Sequence, residues 1–110
     1  MIDTERLSRR LARLRAEFLA DLGRRRAVIA AAWGRLSQAD GRDDCLQAVH
    51  SLAGAAGTFG FDELHRQARA LESGLEGLPR GTGPDAELEA AWDRLQALLD
   101  RLQAGGAGDR

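Results

Sequence analysis

From residue 61 to residue 78 the apolar side chains fall at alternating steps of three and four: Phe61, Leu64, Ala68, Leu71, Leu75 and Leu78. A strand turns alternate residues to one face, so this spacing collects all six on one side only in an α-helix, opening near Asp62. One helix cannot shield such a stripe; other helices with matching stripes must cover it. Three further segments carry them. Leu7, Leu11, Leu14, Phe18, Leu22, Ile29, Trp33 and Leu36 predict one helix from about residue 4 to 37, capped by Thr4 or Asp3. At the usual rise per residue it would be roughly 50 Å long. Gly23 and the run Arg24, Arg25, Arg26 interrupt its stripe and leave room for a kink, but the register is the same on both sides, and the arginines read as a solvated turn. After the turn Ala39-Asp40-Gly41, Asp43 or Asp44 can cap a second helix to about Thr58, its end marked by Gly57 and Gly60. Pro79 to Gly83 can hold no regular structure, and Pro84 suits the first turn of a last helix carrying Leu88, Trp92, Leu95, Leu99 and Leu102. The expected fold is all-α: an up-down-up-down four-helix bundle with a long first helix over residues 1–104, followed by a flexible tail, 105–110.

Composition narrows the function. A chain of 110 residues holds one core. With 16 basic and 17 acidic residues interspersed, no long-range field draws it to nucleic acid. Cys45 is the single cysteine, which excludes an internal disulfide and any cysteine-based zinc site, and it falls on the apolar side of its helix, where a thiol is inert. The opening MIDTERLSRRLARLR is charged throughout, and no run approaches the ~20 apolar residues of a membrane span. A cytoplasmic monomer without nucleic-acid or membrane partners is expected.

His50 is the informative residue. At about 100° per residue, Cys45, Ala48, Val49, Leu52, Ala55, Ala56 and Phe59 gather on one side of the second helix, and His50 points almost directly away from them. A histidine filling a core would lie within that arc. On its own face, Gly54 and Gly57 follow one and two turns later with Ala53 beside them, although Gly inside a helix costs ~1 kcal/mol relative to Ala. The bare backbone would let another protein approach the imidazole within covalent reach, so Ala53, Gly54 and Gly57 form the expected docking face. Close packing of two helices is the competing use of such small residues, and Gly57 can also act as an end signal. Trp33 and Trp92 lie on core stripes and read as packing residues. His65 falls beside the stripe of the third helix, with no further ligands spaced for a metal site.

The run His50-Ser51-Leu52-Ala53-Gly54-Ala55-Ala56-Gly57-Thr58-Phe59-Gly60-Phe61, with Leu64 and then Ala70-Leu71-Glu72, resembles the histidine-containing phosphotransfer (HPt) domain. The resemblance implies that His50 is phosphorylated midway along the second helix and exchanges the phosphoryl group with an aspartate on a response-regulator receiver domain or with a hybrid histidine kinase. It also implies that Glu72 hydrogen-bonds the imidazole, that the chain needs no cofactor because the receiver supplies Mg²⁺, and that it neither binds ATP nor phosphorylates itself. Ala53 departs from the family pattern, since many members carry Lys there to steady the phosphoryl oxygens; the chain has no Lys at all, and Arg69 is the candidate replacement. The same departure supports the alternative of a non-phosphorylated HPt-like adaptor that binds partners through its helical surface. A small-molecule enzyme with His50 as general base would need a water-excluding pocket, which a bare helix face does not offer.

Overall fold

Every apolar stripe forms a helix, yet there is one helix more than the stripes predict. Among the described residues, the backbone of 2–108 and the side chains of 3–105, the computed structural model contains five helices. They are α1 (Ile2–Ala20), α2 (Leu22–Trp33), α3 (Gly41–Thr58), α4 (Asp62–Glu76) and α5 (Ala86–Gly108). The expected four-helix bundle with one long first helix is therefore wrong: the segment from 4 to 37 breaks at Asp21. The Asp21 N–H is shared between Glu17 O and Phe18 O, both at 3.1 Å, as happens where a helix ends. Its carboxylate accepts bonds from Arg24 Nε and Nη2 at 2.7 and 2.8 Å, and the guanidinium holds the acid below its ordinary pKa. An acid at the start of α2 also faces the positive end of that helix, and Gly23 just beyond weakens continuous helix by ~1 kcal/mol. The arginine run is not simply solvated. Arg25 donates to Ser51 Oγ on α3 at 3.1 Å, and Arg26 pairs with Asp100 on α5, so the break is clamped to two other helices.

Each helix from α2 to α5 packs on the next, and α5 returns against α2. Their stripes bury Leu22, Ile29, Val49, Leu52, Leu64, Leu71, Leu75, Leu95 and Leu99 in one core. Trp33 and Trp92 stack at 5.5 Å and tie α2 to α5, the packing role expected of them. Cys45 is fully buried, and desolvation pushes its thiol up to about 11, which makes it unreactive. No helix among the described residues is long and apolar enough to cross a membrane.

Among the described side chains of α1, only those at its end enter the core. Phe18 meets the rings of Phe59 and Phe61 at 5.6 and 5.3 Å, while Arg15 lies over Phe61. Leu7 and Leu11, expected on a buried stripe, are 65% and 47% exposed. The cause is length: the 18 residues of α3 rise about 27 Å, whereas residues 2–33 rise about 48 Å, so α1 runs past the end of its neighbour. At the other terminus α5 continues beyond the boundary drawn at 104, because glycine weakens a helix without removing an N–H as proline would. The part of the expected tail at 109–110 lies outside the described residues.

The connection between α3 and α4 sets the register that matters for function. Phe61 N donates to Ala56 O at 2.9 Å and Gly60 N to Gly57 O at 3.3 Å, with Gly60 at φ +81°. This is a Schellman ending, which needs a residue tolerant of the left-handed region at that one position. Gly60 therefore stops the helix, whereas Gly57 lies inside it. At its start α3 is equally constrained, since Gly41 is buried against the preceding turn. A Cβ there would lie 1.8 Å from Arg35 O and 2.3 Å from Arg35 C. Because backbone cannot yield as a side-chain tip does, Gly41→Ala should destabilise the protein by about 3 kcal/mol in urea denaturation. An unchanged midpoint would contradict this packing.

Candidate functional site

The Schellman turn folds α4 back antiparallel to α3 about Phe61, so residues equally distant from it face each other. His50 and Glu72 are each eleven positions away, and Gly57 and His65 are each four. Both pairs make the contact this register implies.

His50 Nδ1 is 2.6 Å from Glu72 Oε2. A carboxylate can only accept, so Nδ1 carries the proton and the lone pair is on Nε2. The two side chains differ sharply in exposure, 60% for His50 and 11% for Glu72. Glu72 is the one buried charged residue among those described, set between Leu71 and Leu75 on the core side of α4. Its second oxygen, Oε1, has no hydrogen-bond partner and lies 3.7 Å from Arg69 Nε. Arg69 thus acts on the carboxylate behind the ring. His50 itself opens onto a shallow depression between α3 and α4 bounded by Arg42, Asp43, Gln47, Glu76 and Arg80.

The faces of α3 are not quite those drawn from the wheel. Its buried residues include Cys45, Val49, Leu52, Ala53 and Ala56. They turn the buried side toward α4, so His50 stands about 115° from its centre rather than opposite to it. That flank position is what allows an exposed ring to reach a buried acid. Ala53 is 1% exposed and belongs to the core, so it is not part of an open docking face. Gly54 is open, with nothing within 4 Å of where its Cβ would be. Gly57 has a different use. A Cβ there would come within 3.0 Å of His65 Nδ1 and 3.3 Å of Cε1. The His65 ring covers this glycine, and its Nδ1–H donates to Ala53 O at 2.8 Å. His65 is thus a cross-link between α4 and α3. The sequence signal was available in His65 and Gly57, but only the register brings the ring over the glycine. Among the described residues no group of three or more His, Cys, Asp or Glu side chains is arranged to hold a metal ion.

The family model described as "Hpt domain" matches residues 13–105, most of the chain. The chain belongs to the Hpt domain family. Hpt domains are phosphorelay components that generally lack an enzymatic activity of their own and interact with receiver and histidine-kinase partners. No curated protein and no solved structure matches the chain.

Within this Hpt domain the two glycines can be told apart by stability. Gly54→Ala should gain up to ~1 kcal/mol from helix propensity alone. Gly57→Ala offers the same gain but must displace the His65 ring, so it should be the less stable variant, and measured against His65→Ala alone the double variant should recover the gain. Equal effects of Gly54→Ala and Gly57→Ala on the thermal midpoint would show that His65 does not press on this face.

Proposed function

We propose that His50 is the phosphorylated residue of this Hpt domain and that it passes the phosphoryl group to or from an aspartate on a receiver domain. The observation that carries this reading is the 2.6 Å bond from His50 Nδ1 to Glu72 beneath a ring whose other side is exposed. A neutral imidazole with Nδ1–H engaged has its lone pair on Nε2 and is a nucleophile near neutral pH. In the accepting step, Nε2 bonds to phosphorus as the bond from phosphorus to the donor's carboxylate oxygen breaks, and that oxygen keeps the electron pair. The positive charge left on the ring is shared through Nδ1–H with Glu72. Reversal transfers the group to a receiver aspartate and returns the lone pair to Nε2.

Such a transfer is mainly positioning and charge neutralisation, for which the receiver brings Mg²⁺ and its own acids. The carrier then has only to present a correctly oriented ring on an approachable surface. Gly54, one turn beyond His50 and free of neighbours, keeps that approach open. Docking in this account spans Gly54 and the depression beside His50, with Ala53 excluded because it is buried.

The test is phosphate uptake from a phosphorylated receiver, followed as acid-labile, base-stable phosphate. His50→Gln should abolish uptake with little change in thermal midpoint, because the side chain is largely exposed and the Gln amide N–H can still donate to Glu72. Glu72→Ala should still accept phosphate but roughly tenfold more slowly, since ~1 Å of misplacement can cost up to ~100-fold in rate. Uptake by His50→Gln would reject His50 as the site. A folded wild-type protein that accepts phosphate from no receiver would favour the adaptor reading instead.

A further inference from the structure

The depression beside His50 carries a charge problem. Asp43, Glu72 and Glu76 border it, against two cations, Arg42 and Arg80. A phosphoryl group on Nε2 would add about two negative charges at its edge. Arg69 already faces the Glu72 carboxylate behind the ring, and of the two cations that border the depression the structure distinguishes which is free to answer that charge.

Arg42 is committed. Its side chain is largely buried, and Nη1 donates to Glu76 O and Leu78 O at 3.3 and 3.1 Å, closing the exposed carbonyl end of α4. Moving it would uncap that helix. Arg80 has no such duty. Its side chain is 62% exposed, and its Nε donates only to the Asp43 carboxylate, at 3.0 and 3.2 Å. Its backbone sits in a short turn closed by the bond from Thr82 N to Pro79 O, so the side chain can swing while its root stays at the rim. Asp43 would not be orphaned by its departure, because Arg42 Nη2 remains 3.2 Å away. Asp43 and His50 are seven residues apart on α3, two turns on nearly the same side. The guanidinium therefore crosses no helix in passing from one to the other.

Resting on the reading of His50 as the phosphorylated residue, we propose that Arg80 exchanges partners on phosphorylation, leaving Asp43 to bind the phosphoryl oxygens on His50. The exchange supplies the cation that the sequence lacks at Ala53. It protects the phosphorylated form as well. Hydrolysis breaks the bond from phosphorus to Nε2 while a water oxygen bonds to phosphorus; Nε2 keeps the electron pair, and the water proton passes to solvent. In a loose transition state the peripheral oxygens give up negative charge toward phosphorus, so a guanidinium bonded to them binds the resting phosphohistidine more strongly than the cleaving one and, with no metal ion or acid at the leaving nitrogen, slows the loss.

The experiment uses phosphoramidate, a small donor that requires no protein docking, and follows phosphohistidine decay by ³¹P NMR in the full chain. Arg80→Gln should take up phosphate as the wild type does and lose it about fivefold faster, the scale of one exposed charge-assisted contact. Arg80→Lys should recover most of the lifetime. Asp43→Asn, which removes the competing partner, should match or exceed the wild type, and the Arg80 Nε–H resonance should shift when the wild-type protein is phosphorylated. Equal lifetimes for Arg80→Gln and wild type, or an Asp43→Asn lifetime as short as that of Arg80→Gln, would overturn the exchange while leaving His50 in its role. Failure of every variant and the wild type to take up phosphate from both phosphoramidate and a receiver would overturn both.

Discussion

Glu72 is a carboxylate in a seam of leucines, and removing such a group from water is costly unless a donor meets it. Here the donor is His50, a ring that stands mostly in solvent. One bond thus links the core to the surface. It gives the acid a partner and, in the same contact, fixes which ring nitrogen carries a proton and which way the other one points. The bond exists only if α4 runs back along α3 in one register, and that register is set at Gly60 and at the aromatic contacts of Phe18 with Phe59 and Phe61. A slip of one residue in α4 would rotate Glu72 away from the seam, and one in α3 would rotate His50 away from Glu72.

The helices beyond this pair serve to hold it. Arg25 reaches from α2 to Ser51, next to His50 in the chain, and α5 closes the side of α4 away from α3. His65 adds a second link between α3 and α4, with its ring over Gly57 and its proton on the Ala53 carbonyl. The two histidines have the same protonated nitrogen but opposite situations. His65 bonds to backbone and covers a glycine, while His50 bonds to a carboxylate and opens onto a depression. Family membership is shown by the match over residues 13–105, and the chemical difference between the two rings is what recommends His50 within it.

Much of this was legible in the residues. The stripe from Phe61 to Leu78 determined α4 because no other local conformation collects those side chains, and His50 stood out because it fell outside the apolar arc of its own helix. The misreadings share a cause: a stripe records which side of a helix is apolar, not what covers it. Leu7 and Leu11 satisfy the period, yet α1 extends past its neighbour and leaves them exposed. The interruption at Gly23 allows a kink in sequence but not a full break at Asp21, because a single irregular residue barely disturbs the register on either side. Ala53 reads as open face in the sequence because a small apolar residue fits either side of a boundary, and its burial depends on how close α4 lies. Gly57 had two candidate uses in sequence, and its actual one, room for a ring from another helix, is set by tertiary register alone.

The central claim is that one bond to Glu72 fixes the His50 tautomer and thereby chooses the reacting nitrogen. It is tested most directly by phosphorylating protein labelled with ¹⁵N at histidine and recording ¹H–¹⁵N and ³¹P spectra. The account predicts phosphorus coupled to Nε2 of His50, with the Nδ1 proton retained and shifted as expected for a bond to a carboxylate. Phosphorus on Nδ1 of His50, or on either nitrogen of His65, would contradict it.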